Sequence, residues 1–138
     1  MALQEKDMNR LLDSSAIKAS LDNTISFQAE DRNKAQGMLE ELEAVPGFSN
    51  VLMEIAIDEN EKLLQRRLSA AIYFKNLVRK NWKGLDQNGT TSVCAQILAT
   101  EREALRAATL EHLLTCTNRE VKKNLAEIFR EMCANDYP

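Results

Sequence analysis

The sequence predicts an all-α protein built from stacked helix pairs, and three observations carry that reading. Leu, Ala, Glu, Lys and Arg dominate its 138 residues while only 4 Gly and 2 Pro occur, so helix formers are plentiful and turn punctuation is scarce. Apolar residues recur at i, i+3, i+4 and i+7 through most of the chain, the spacing of one face of a helix. Three segments, Asp58 to Glu61, Thr100 to Glu103 and Thr117 to Glu120, have the spacing of a capping box, the signature of a helix start.

These signals divide the chain into six helices. The first covers 13–22, with Asp13 as its cap and Ile17 and Leu21 one turn apart. Ala35, Met38, Leu39 and Leu42 share a face of the second, 29–44. Val45-Pro46-Gly47 ends it, because a residue before proline is pushed out of the helical region. Phe48, Val51, Leu52, Ile55 and Ala56 form a short third helix, which Asp58 closes while capping the next. The fourth, 59–82, is expected to be the longest, at roughly 35 Å.

Residues 83–92, with Gly84, Asn88 and Gly89, read as a loop, Gly84 being placed as a helix C-cap. The fifth helix starts at Thr100 and runs to Cys116; the sixth starts at Thr117 and buries Val121, Leu125, Ile128, Phe129 and Met132. Helix pairs joined by tight turns and recurring every 35 to 50 residues or so match the HEAT and armadillo-like class of α-solenoid. Three pairs fit into 13–138, with 1–12 as an N-terminal extension. If the last pair lacks a neighbour, Leu113, Leu114, Phe129 and Met132 are expected to be partly uncovered and to offer a dimerisation face.

Composition removes several function classes. Cys94, Cys116 and Cys133 are odd in number and form no CxxC pair, and no His/Cys cluster has metal-ligand spacing, so no metal or cofactor is expected. The charged start MALQEKDMNR is not a signal peptide, and no stretch approaches the ~20 apolar residues of a membrane span. Catalytic residues are not expected either. The lone His112 lies among leucines, and Gly84 and Gly89 have phosphate-loop spacing but are followed by Thr90-Thr91 where Lys-Ser or Lys-Thr is needed. Acidic pairs such as Glu40-Glu41 read as solvated helix surface.

The fourth helix is chemically unusual. On a wheel of about 100° per residue, Leu63, Leu64, Leu68, Ala70, Ala71, Ile72, Phe74, Leu77, Val78 and Trp82 fill well over half the circumference. Lys62, Gln65, Arg66, Ser69, Asn76, Arg79 and Lys80 hold the remaining arc. Between Lys62 and Lys83 every charged residue is basic, although the whole chain has net charge −3. A basic stripe is commonly only a solvated face, but a central solenoid helix presents its exposed strip where repeat proteins hold partners. Lys75 falls among the apolar residues, where its amine needs a partner or room to snorkel.

The stretch KAQGMLEELEAVPGFSNVLMEIAIDENEKLLQRRLSAAIYFKNLVRKNW, Lys34 to Trp82, resembles the importin-β N-terminal domain. The match lies in Gly47-Phe48, Arg67, Ala70-Ala71, Lys75-Asn76 and Trp82, in that order, after a helix patterned on Ala and Leu. The last helix and its ending, Val121-Lys122-Lys123-Asn124 through Asn135-Asp136-Tyr137-Pro138, are similar to the family's third repeat with its Asp-aromatic-Pro. The Asp-Tyr-Pro form and Phe74-Lys75-Asn76 resemble the branch of importins seven and eight, with the cellular-apoptosis-susceptibility exporters close behind.

The resemblance implies the first three repeats of a longer nuclear transport receptor that shuttles between nucleus and cytoplasm and binds the GTPase Ran in its GTP form. It implies Ran contacts on the second helices of the pairs, with Lys75 and Asn76 at the family's Lys-Asn positions and Arg79 and Lys80 one turn on. Lys123 and Glu127 join them from the polar face of the sixth helix. Protein cargo and nucleoporins would bind through later repeats. A generic helical scaffold is the alternative where the resemblance is set aside. Nucleic acid binding is disfavoured by the acidic balance and by Tyr73, Phe74 and Trp82, which are spaced like core residues.

Overall fold

The computed structural model describes residues 12–82 and 92–137, and all regular structure among them is helical. Six helices follow one another: α1 (Ser14–Asn23), α2 (Ala29–Leu42), α3 (Phe48–Ile57), α4 (Leu64–Asn81), α5 (Val93–Thr115) and α6 (Arg119–Asp136). They pair in chain order through short turns, and α4 lies at the centre, packed on α3, α6 and α1. This is the expected α-solenoid of HEAT-like helix pairs.

Local chemistry accounts for most of the boundaries. The Asp13 carboxylate accepts the Ser15 N–H at 3.0 Å and caps α1, while Ile17 and Leu21 point inward. After α2, Gly47 takes φ 91°, the left-handed conformation that a residue with a Cβ resists, and the chain turns directly into α3. Asn118 caps α6 by accepting the N–H groups of Glu120 and Val121, both at 3.0 Å. Thr117, the expected cap, instead donates to Glu59 Oε1 at 2.9 Å and ties the α5–α6 turn to the α3–α4 turn.

Two helix starts differ from expectation, each for a physical reason. Helix α4 begins at Leu64, not at 59, because Asp58 and Glu61 satisfy nearby backbone instead of capping a helix. The Asp58 carboxylate accepts the Asn60 N–H at 2.9 Å, and Glu61 accepts that of Leu63 at 3.4 Å, local bonds that compete with helix. The helix is therefore 18 residues, about 27 Å.

Helix α5 begins at Val93, not at Thr100, and at 23 residues it is the longest of the described helices. Ser92 Oγ accepts the Ala95 N–H at 3.1 Å as its cap. Thr100 lies inside the helix with its hydroxyl bonded back to Ile97 O. Residues 93–99 thus belong to the helix that was expected to start only at Thr100, and the supposed cap Gly84 lies outside the described residues.

The core runs through all six helices, from Ile17 and Leu21 through Leu39, Phe48, Leu52, Phe74, Val78 and Trp82 to Leu105, Leu125, Ile128 and Met132. Of the residues expected to be partly uncovered on the last pair, Leu113 and Phe129 are half-buried and Leu114 is exposed, whereas Met132 is fully buried against the core. Leu114, 72% exposed, stands out there.

Candidate functional site

The site is built on α4 and on the helices either side of it. Ala70, Ala71, Phe74, Leu77, Val78 and Trp82 are buried as the wheel requires, but Leu63, Leu64 and Ile72 are exposed. Leu63 and Leu64 lie at the late start of α4, and Ile72 falls on its outer side, so the apolar arc is narrower than expected.

The basic strip does not act as one surface. Arg67 is buried, its Nε donating to Ala56 O at 2.9 Å, where it ties α4 to the C-terminal turn of α3. Arg66 grips the Asp22 carboxylate from α1, Nη2 lying 2.5 Å from Oδ2, and reaches Glu61 at 2.8 Å through Nη1. Arg67 thus braces the α3–α4 pair from within, and Arg66 ties that pair to the one before it. Lys83 lies outside the described residues, and Lys62 is exposed in the α3–α4 turn.

Lys75 is neither a core lysine nor a free contact. Its Nζ donates to Asn124 Oδ1 at 2.9 Å and to Glu127 Oε2 at 3.0 Å, both on α6. At the far end of the same helices Trp82 Nε1 donates to Asp136 Oδ1 at 3.0 Å. The two links share nearly the same sequence offset, so α4 and α6 run parallel, as the second helices of successive repeats must.

The expected contact residues fall into two groups. Lys75, Arg79, Lys123 and Glu127 come together across the α4–α6 seam: Arg79 lies one turn beyond Lys75 on α4, and Lys123 one turn before Glu127 on α6. The hydrogen bond from Lys75, then its charge, and further the charges of Lys123 and Arg79 hold the Glu127 carboxyl below its ordinary pKa of 4.5. Asn76 and Lys80 lie about 100° further round α4, toward α2. They line a cleft of about 210 Å³ between α2 and α4 with Gln36, Glu40, Glu43, Tyr73 and Leu77.

That cleft was not legible as a site in the sequence. The Tyr73 hydroxyl donates to Glu43 Oε2 at 2.6 Å, and its ring meets Phe48 edge-on at 5.9 Å. Burial first, then the Glu43 carboxylate, hold the Tyr73 phenol far above its ordinary pKa, so it remains a donor. The cleft therefore presents two carboxylates on one wall and an amine and an amide on the other.

A third cluster explains the ending of the chain. The Asp136 carboxylate, its side chain 7% exposed, accepts from Trp82 and pairs with Arg102 Nε at 2.8 Å and with Arg106. The Arg102 guanidinium also lies over the Trp82 ring at 4.8 Å, and that of Arg106 over Tyr137 at 5.2 Å. The i, i+4 spacing of Arg102 and Arg106 was the available signal. His112 is half-buried, and no group of His, Cys, Asp or Glu able to hold a metal occurs among the described residues. No helix among them is long and apolar enough to cross a membrane.

Residues 35–115, from α2 to the end of α5, match the family model of the importin-beta N-terminal domain. A probable importin of Encephalitozoon cuniculi is 29% identical over 112 residues, which cover 78% of this chain. The matched region is 12% of that relative's length, so the chain corresponds to a small part of it.

Proposed function

From its membership of the importin-beta N-terminal domain family, we propose that this chain is the N-terminal part of a nuclear transport receptor and docks the GTP-bound form of Ran. The observation that carries the reading is the family match across residues 35–115, which contain all of α4 and its exposed polar residues. Asn76, Arg79 and Lys80 are exposed on α4 and Lys123 on α6, so these are the proposed contacts. Lys75 and Glu127 join the same surface as a pair, not as free charges. Ran binding here would control cargo loading or release by the whole receptor, with cargo and nucleoporins held by its other repeats. The receptor would shuttle between nucleus and cytoplasm.

Phe74-Lys75-Asn76 and Asp136-Tyr137-Pro138 favour the importin seven and eight branch, with the cellular-apoptosis-susceptibility exporters as the alternative. The two differ in direction: an importin gives up cargo on binding the GTPase, whereas an exporter needs it to hold cargo. The nucleic-acid reading loses support, because Arg66, Arg67 and Lys75 are occupied within the chain and Phe74 and Trp82 are buried away from any stacking role.

The test is a titration of the purified chain with Ran loaded with GTP or with GDP. Clear preference for the GTP form is expected. Equal binding of both forms, or preference for GDP, would overturn the reading.

A further inference from the structure

Midway along the α4–α6 seam the Glu127 carboxylate lies within the field of three cations, Lys75, Arg79 and Lys123. Glu127 pairs with Lys75 at 3.0 Å, while Arg79 and Lys123, one helical turn away on either side, form no ion pair with a described residue. The cluster therefore keeps an excess of positive charge, although its most enclosed member is already paired. Lys75 is the enclosed one, its side chain 15% exposed against 31% for Glu127. It also has a neutral acceptor, Asn124 Oδ1 at 2.9 Å, that would hold the amine in place if Glu127 left.

Resting on the reading of this surface as the GTPase-docking face, we propose that Glu127 is an internal placeholder, occupying between Lys75, Arg79 and Lys123 the position that an acidic side chain of the partner takes on binding.

The physical case has three parts. A partly exposed ion pair is weak, because water solvates both members well and holding two long side chains together costs entropy, so exchanging one carboxylate for another has a low barrier. Among the described residues the Glu127 carboxylate accepts a hydrogen bond from Lys75 alone, so breaking that one pair lets it swing to solvent, where its charge is fully hydrated. Meanwhile the three cations stay in register, since Asn124 keeps Lys75 and the Trp82–Asp136 bond fixes α4 against α6. A carboxylate within the chain would lower affinity for any acidic partner group and would repel partners that offer none of the right geometry, a device for specificity as much as for strength.

The consequence is opposite in sign to that of an ordinary contact residue. Glu127→Gln should tighten binding of GTP-loaded Ran about threefold to tenfold, mainly through faster association, and should steepen the dependence on salt. The second measurement uses hexaglutamate peptide as the probe, followed through the side-chain NMR signals of Lys75, Arg79 and Lys123. The peptide should perturb all three, and more strongly in Glu127→Gln than in the unaltered chain. Folding of the variant is checked by its helical circular dichroism. Weaker or unchanged Ran binding in the folded variant, or no gain in its response to hexaglutamate, would overturn the placeholder. If the unaltered chain shows no preference for the GTP form, the docking reading fails, and the hexaglutamate comparison still decides whether Glu127 holds a carboxylate site.

Discussion

The indole of Trp82 donates to the carboxylate of Asp136 at 3.0 Å, which pins the C-terminal end of α4 to that of α6. Two arginines of α5 close on the same carboxylate, so one acidic group joins three helices. Asp136→Ala should therefore cost about 2 to 3 kcal/mol, because it leaves the Trp82 indole N–H without its acceptor and two guanidinium groups without their counter-charge. Asp136→Asn keeps an acceptor for Trp82 and should lose about half as much. Urea unfolding of the two variants checks the order; equal losses would mean that the charge accounts for the whole joint and that the hydrogen bond from Trp82 adds nothing.

The same joint separates what the sequence could reveal from what it could not. Trp82 and the Asp136-Tyr137-Pro138 ending are visible as a resemblance, but their contact lies 54 positions apart along the chain and follows from no local pattern. Helix interiors and the Asp13 cap were legible because periodicity and capping are local. The starts of α4 and α5 were not. Asp58 and Thr100 carry capping-box spacing, yet one turns back on Asn60 and the other bonds within an existing helix. On the site, α4's basic residues were evident, while their division into structural clamps and free charges depends on Ala56, Asp22 and Glu127 from three other helices.

Two glycines should respond to alanine in opposite directions. Gly47 holds φ 91°, and a Cβ there would lie 3.3 Å from Leu12 Cδ1, so Gly47→Ala should destabilise by roughly 1 to 2 kcal/mol. Gly37 lies within α2 and a Cβ would meet nothing within 4 Å. Gly37→Ala should stabilise by roughly 0.5 to 1 kcal/mol through helix propensity alone. Thermal midpoints of the two variants settle the signs.

The Lys75–Glu127 pair predicts a pH response. Because the folded chain holds Glu127 below its ordinary pKa of 4.5, the stabilisation from ionised Glu127 is complete above that value. It should fade as pH falls through the lower folded value, when the protonated carboxyl no longer pairs with the amine. An NMR titration of the Glu127 carboxyl should give a midpoint below 4.5 that moves upward in Lys75→Met, since the first cause of the shift is the hydrogen bond from Lys75. A midpoint unchanged by that substitution would assign the shift to Lys123 and Arg79 instead.

Arg79 and Lys80 are adjacent in sequence but face different neighbours, Arg79 the Glu127 cluster on α6 and Lys80 the cleft containing Glu40 and Glu43. Reversing both to Glu should weaken binding of GTP-loaded Ran at least about tenfold, because like charges would then meet whatever acidic groups the native strip attracts. The single variants divide that loss. If the partner docks mainly on the α4–α6 seam, Arg79→Glu carries most of it, and the loss should shrink as added salt screens the charges. If it docks on the α2–α4 cleft, Lys80→Glu carries it, because a third carboxylate then lines a cleft that already holds two. Both residues are exposed and neither contributes to the core, so helical content and thermal midpoint should stay near those of the unaltered chain. Unchanged binding by the folded double variant, compared with the unaltered chain at one salt concentration, would remove the α4 strip from the docking surface.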